Sequence, residues 1–146
     1  MTDDRHRNLG FLLRDVGRLY AKDFERRAAD LNLTLTQCVV LTRLSQNQGI
    51  SQARLAEIAD TDPMALVRML DRMEQDQWIE RRPDPADRRA YRLYLRSAAE
   101  AIVARIWVIA GDSRGEALSA LSAGERDTLV ELLERVHRSL SAHDEK

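Results

Sequence analysis

Arginine carries most of the chemistry available to this sequence. Every one of its 23 basic side chains other than Lys22 and Lys146 is an arginine. A guanidinium is a rigid fork of N–H donors that fits a phosphate or the O6/N7 edge of a guanine. The arginines are unevenly placed. Between residues 78 and 96, Arg81, Arg82, Arg88, Arg89, Arg92 and Arg96 stand against only Glu80, Asp84 and Asp87. Upstream, Arg68 and Arg72 are spaced one helical turn apart, among Pro63, Met64, Ala65 and Val67. Small apolar side chains beside an arginine are what thymine methyl groups and guanine edges require. The formal net charge of −1 argues against a polyanionic partner only as a total, because residues 97–146 hold 6 basic against 9 acidic residues and mask the basic segment before them.

Other chemistries find little support. There is no G-x-G-x-x-G, P-loop, G-x-S-x-G or H-E-x-x-H pattern, so no catalytic residue and no cofactor is expected. His6, His137 and His143 have no ligand spacing, and no metal site is expected. The single cysteine, Cys38, excludes an internal disulfide; beside Val39, Val40 and Leu41 it reads as core, with a redox-sensing thiol as the alternative.

These arginines need elements to hold them. At 146 residues, 44% hydrophobic and 32% charged, the chain has the size and composition of one globular domain. Its longest apolar run, IWVIA at 106–110, is far short of a membrane span, and the opening MTDDRHRN lacks an apolar signal core, so a cytoplasmic protein is expected. Leu9, Leu12, Leu13, Val16, Leu19, Tyr20, Phe24, Ala28 and Leu31 form the stripe of a long amphipathic helix. Thr34 with Gln37 makes a capping box for a second helix, running to about residue 46. Residues 48–50 read as a connector. Ser51 caps a short third helix that buries Leu55, Ala56, Ile58 and Ala59 and ends at Asp60 and Thr61. Asp62 followed by Pro63 opens a fourth, with Leu66, Met69, Leu70 and Met73 inward. The period then drops to two. Residues 78–82 and 91–95 alternate around the turn-rich PDPADRRA of 83–90, which predicts a hairpin with a charged tip. Ser97 with Glu100, and Ser122 with Glu125, open two more helices. Gly111 and Gly115 in the first of these predict a bend or close packing, and the last carries Leu129, Leu132, Leu133, Val136 and Leu140.

Two short helices followed at once by a basic hairpin make a winged helix-turn-helix. On that frame the fourth helix lies in a major groove, presenting Pro63, Met64, Ala65, Val67, Arg68 and Arg72, with its N-terminal N–H groups aimed at phosphate. Ser51 joins them from the preceding helix, and Arg88 and Arg89 at the wing tip reach the adjacent minor groove or its phosphates. The remaining helices carry more apolar surface than a winged helix needs, which points to a homodimer. The expected fold is mainly α, a single domain over 1–146. A winged helix-turn-helix lobe spans 33–96, and additional N- and C-terminal helices, 1–32 and 97–146, form a dimerisation layer.

With these residues in view, the chain resembles the MarR family of bacterial transcriptional regulators along nearly its whole length. The most specific stretch is LVRMLDRMEQDQWIERRPDPADRRAYRLYL, residues 66–95, and within it PDPADRR. LVRMLDRME and DRRAYRLYL are most similar to the SlyA-like branch. The resemblance implies a homodimer on pseudo-palindromic double-stranded DNA, acting as a repressor or counter-silencer. It implies that Arg89 is the wing arginine, that Asp87 is the acid that orients it, and that Arg68 contacts DNA from the recognition helix. It also implies an effector, a small aromatic or phenolic acid, held against a wall that includes Arg14, Arg18, Cys38 and Thr42. Two positions depart from the family. Gln77 stands where a helix-ending glycine is usual, so this chain either ends that helix differently or strains Gln77. Leu95 and Arg96 replace Leu-Thr at the wing exit. Two alternatives remain beside this reading. One is a winged helix that contacts protein rather than DNA; the other is a thiol-based regulator acting through Cys38, although the family's sensing cysteine lies in the first helix and Cys38 in the second.

Overall fold

Short side-chain caps set where several helices of this protein begin. The computed structural model describes residues 3–144; Met1 and Thr2 of the opening MTDDRHRN, and Glu145 and Lys146, lie outside the described residues. The elements are α1 (Asp3–His6), α2 (Leu9–Arg27), a 3₁₀ turn (Ala29–Leu31), α3 (Leu35–Gln46), β1 (Ile50–Ser51), α4 (Gln52–Ile58), α5 (Pro63–Gln75), β2 (Ile79–Asp84), β3 (Asp87–Leu95), α6 (Ser97–Ala117) and α7 (Ala123–Asp144). Thr34 and Gln37 form the full capping box of α3. Ser51 accepts the Arg54 N–H at the start of α4, and Asp62 accepts that of Ala65 at the start of α5. Ser122 and Glu125 exchange reciprocal bonds ahead of α7.

Four expectations need correction. The first long helix ends at Arg27, and the chain reaches Leu31 through the 3₁₀ turn before Asn32 turns left-handed at φ 55°. Ile50 lies in a strand rather than in a connector: β1 adds to β3 with Ile50 opposite Leu93. Gly49 allows this, with φ 87° and an absent Cβ that would stand 3.4 Å from the Tyr94 hydroxyl. The hairpin is longer than its alternation implied. Its ladder continues out to Asp84 and Asp87, leaving only Pro85 and Ala86 as the turn. β2 is an edge strand, where Pro83 is tolerated, and the Asp84 carboxylate closes the turn by accepting the Ala86 N–H at 2.9 Å. Finally, Ser97 is the first residue of α6 rather than a residue preceding it, and α6 runs through Gly111 and Gly115. An added Cβ at Gly115 would meet nothing within 4 Å, so no close packing explains that glycine.

The chain divides into two compact units, Met1–Ser113 and Arg114–Lys146. The first has a continuous apolar core. Val40, Leu41 and Leu44 of α3, Leu55 of α4, Leu66, Leu70 and Met73 of α5, Ile79 and Leu93 of the sheet and Ile106 of α6 are all fully buried in it. The second consists of the end of α6 and the helix α7, which has no buried residue. Among the described residues no helix is long and apolar enough to cross a membrane.

Within the first unit a polar tie fastens α2 to α6. The Asp23 carboxylate accepts from Ser113 Oγ at 2.7 Å and from Arg27 Nε at 2.9 Å, and pairs also with Arg26. These donors, Ser113 foremost, lower the Asp23 pKa from 3.8 to about 2. A pKa lower in the folded than in the unfolded chain contributes stability above pH 3.8 and loses it as pH falls toward about 2. Ser113→Ala is therefore expected to unfold at a higher pH than the parent in an acid titration followed by circular dichroism, with the difference fading below about pH 2. Coincident titration curves would leave the arginines as the whole of the Asp23 stabilisation.

Candidate nucleic-acid interface

Helices α4 and α5, with residues 59–62 between them, form the helix-turn-helix, and both end the same way without glycine. Asp60 adopts φ 48° while Thr61 N donates to Ala56 O at 3.0 Å. Gln77 adopts φ 61° while Trp78 N donates to Met73 O at 2.9 Å and its own N–H reaches Glu74 O at 3.0 Å. Each is the left-handed Schellman ending that glycine favours. Of the two possibilities open at Gln77, the strained one is realised. An aspartate tolerates this region better than a glutamine does. Gln77→Gly is accordingly expected to stabilise the protein by about 0.5–1 kcal/mol in urea denaturation, the strain relieved exceeding the chain entropy added. A destabilised variant would show that the Gln77 side chain contributes more than its backbone costs.

Helix α5 buries Leu66, Leu70 and Met73 and turns the opposite face outward. Pro63, Met64, Ala65, Arg68 and Arg72 are exposed, and Val67 is half-buried at the edge of the groove facing the wing. The Arg68 guanidinium has no ion pair or hydrogen bond among the described residues, whereas Arg72 lies 3.7 Å from Asp76. The N-terminus of α5 has fewer free N–H groups for phosphate than expected. Pro63 has none, and the Asp62 carboxylate takes that of Ala65 at 3.0 Å. A capping carboxylate also places negative charge where a phosphate would sit. Ser51 is half-buried in β1, its hydroxyl oxygen occupied as the α4 cap at 3.2 Å from Arg54 N.

The wing sorts its arginines by strand face. On the outer face Arg82 and Arg92 stand directly opposite, an arrangement that like charges disfavour. Each is neutralised. Arg82 pairs with Glu80 at 3.1 Å and lies 4.0 Å over the Tyr94 ring. Arg92 pairs with Asp84 at 3.3 Å and donates to the Gly49 carbonyl at 2.9 Å. The Arg82 guanidinium holds the Glu80 carboxyl below its ordinary pKa. Arg81 turns inward to α5. Only Arg88 and Arg89, both exposed on β3 just past the turn, have guanidinium groups without an ion pair or hydrogen bond on these strands. Asp87 accepts the backbone N–H of Arg89 at 2.9 Å and so fixes the strand entry rather than the guanidinium itself. Three of the clustered arginines thus brace the fold. The period-2 alternation could have flagged Glu80 beside Arg82, but Arg81 finds its partners on α5, and Arg92 finds Asp84 across the hairpin and the Gly49 carbonyl on another segment.

A cleft of about 550 Å³ opens between α2, α3 and α6. Cys38 and Thr42 line it with Leu13, Tyr20, Phe24 and Trp107. Arg14 and Arg18 do not; both are exposed, and Arg18 lies 3.6 Å from Asp15. They fall on a neighbouring face of α2, so the lining contains no cation. The Thr42 hydroxyl already donates to the Cys38 and Val39 carbonyls. Cys38 is buried, which pushes its thiol up to about 11, away from the thiolate that redox chemistry needs.

Residues 33–91 match the MarR family model. Wild-type MarR from E. coli in its apo form is 31% identical over 88% of this chain and 96% of that one, with a TM-score of 0.76. A cysteine-to-serine mutant of E. coli MarR, complexed with operator DNA, is 31% identical over 88% of this chain and 92% of that one, with a TM-score of 0.77. BpsR of Bordetella bronchiseptica, whose DNA binding is regulated by 6-hydroxynicotinic acid, is 25% identical over 89% of this chain and 98% of that one, with a TM-score of 0.79.

Proposed function

This chain belongs to the MarR family, and from that membership we propose that it is a sequence-specific DNA-binding transcriptional regulator working as a homodimer on a pseudo-palindromic operator. One observation carries the proposal. On α5 and the wing, Arg68, Arg88 and Arg89 are left with free guanidinium groups while Arg72, Arg81, Arg82 and Arg92 are engaged internally. Arg68 on a helix sized for a major groove and Arg88 with Arg89 on a projecting ribbon are the pairing that simultaneous base and minor-groove contact requires. Residues 33–96 would serve as the DNA-binding lobe and 1–32 with 97–146 as the dimerisation segments. Support for the second part comes from exposed apolar residues on α2, including Phe11 and Leu12, and on α7, including Leu133 and Leu140. The resemblance to the family along the chain supports a repressor or counter-silencer role, and LVRMLDRME with DRRAYRLYL supports a SlyA-like placement.

The cleft beside Cys38 is the place for an effector, and its volume suits a small molecule. With no cation in its lining, it favours a phenolic or other uncharged aromatic over a carboxylate. Selection of bound duplexes from a random pool, with and without phenolic compounds, tests the whole reading. A pseudo-palindromic motif should emerge, bound with an affinity that falls steeply as salt rises. A pool that yields no motif, with binding insensitive to salt, would leave the protein-contacting winged helix as the answer.

A further inference from the structure

We infer that Arg81 is a positioning residue that locks the wing to the recognition helix, setting the span between Arg68 and the pair Arg88 and Arg89. The inference rests on the DNA-binding reading above. Arg81 sits opposite Leu93 on the inner face of the hairpin, the last inward position of β2 before the exposed Pro83. Its side chain is only 13% exposed. Nη1 lies 2.8 Å from Asp71 Oδ1 and 3.3 Å from Glu74 Oε1, and Nη2 donates to the Val67 carbonyl at 3.4 Å. Its backbone N–H donates to Glu74 Oε2 at 3.2 Å. One residue of β2 thus grips α5 at positions 67, 71 and 74, across two turns of the helix. Leu93 opposite it and Ile79 inboard of it anchor the sheet in the core. Outboard, Arg82 and Arg92 make their contacts to Glu80, Asp84, the Tyr94 ring and the Gly49 carbonyl, none of them on α5.

Arg81 is too enclosed to reach DNA itself. Its partners Asp71 and Glu74 line the same groove as Arg89 and are themselves 58% and 44% exposed. This exposure gives the proposal a diagnostic sign. Removing two negative charges beside a DNA-contacting surface strengthens binding if only the field matters. If Asp71 and Glu74 act by holding Arg81, the same change weakens it.

The test is the double variant Asp71→Asn with Glu74→Gln, alongside Arg81→Met and Arg81→Lys, on the selected operator. For the double variant and Arg81→Met, affinity is expected to fall about tenfold. Hydroxyl-radical protection by the wing should be lost while major-groove protection is kept. Arg81→Lys should restore part of the affinity, since it keeps the charge. Amide exchange over 82–92 without DNA should quicken in the same two variants, with α5 core amides unchanged. Affinity unchanged or raised with full wing protection, or exchange unaltered, overturns the proposal. If the double variant melts below assay temperature, Asp71→Asn alone removes the shorter contact and is read in the same way. Failure of the parent chain to bind any duplex would refute the DNA reading, and the exchange measurement would still decide whether Arg81 holds the wing.

Discussion

Leu133→Asp combined with Val136→Asp is expected to convert the protein to a monomer and to lower operator affinity by about a hundredfold or more. The reason begins with α7. Over its 22 residues it buries none, yet it carries apolar side chains exposed from 36% at Leu129 to 65% at Leu140. A helix with such a stripe gains its stability from covering it. Charges placed on that face cannot be desolvated against a second copy without a large penalty. Since neither residue lies in the core of the first unit, the winged lobe should stay folded. One lobe contacts one half-site, and joining two lobes makes the second contact effectively intramolecular. Sedimentation velocity together with binding to full and half-site duplexes would check this. The variant should bind both duplexes alike, with the affinity the parent has for a half-site. A variant that remains dimeric would show that other surfaces hold the copies together.

Arg68→Ala should cost about 1–3 kcal/mol of operator affinity and relax the preference at one base per half-site. Arg68 projects from the exposed face of α5 with no internal partner, so nothing in the free protein must be broken for it to reach a guanine edge. Truncating it therefore removes an intermolecular contact and leaves no buried charge behind. Arg72 is the matched comparison on the same face, already 3.7 Å from Asp76 and expected to matter less. Affinities for a panel of single-base operator variants separate the possibilities. A loss confined to one position identifies base readout. A uniform loss across all sequences, with a shallower salt dependence, would reassign Arg68 to a phosphate.

Much of this architecture is legible in the sequence, and what is legible shares one physical character. Thr34 with Gln37, Ser51, Asp62 before Pro63, and Ser122 with Glu125 are caps whose partners lie three residues away. Leu66, Leu70 and Met73 share a helix face by spacing alone. The period-2 run through Leu93 and Leu95 marked a strand. Interactions of this range are written into neighbouring residues, because the helix and strand repeats fix which side chains can meet.

The features that resisted reading depend on residues brought together from afar. β1 exists only because β3 offers it an edge, with Ile50 meeting Leu93. Cys38 and Thr42 line the cleft while Arg14 and Arg18 do not, a matter of how α2 rotates against its neighbours. Ser113 finds Asp23 ninety positions away, and Arg92 finds the Gly49 carbonyl forty-three away. Composition counted six arginines in the wing segment as one basic cluster. Packing then divided them into those that brace the hairpin and those left facing solvent. Residue type and spacing were enough to specify a winged helix rich in guanidinium groups. Which of those groups remain free to meet DNA was decided by tertiary contacts, because an acid neutralises an arginine according to its distance in space rather than along the chain.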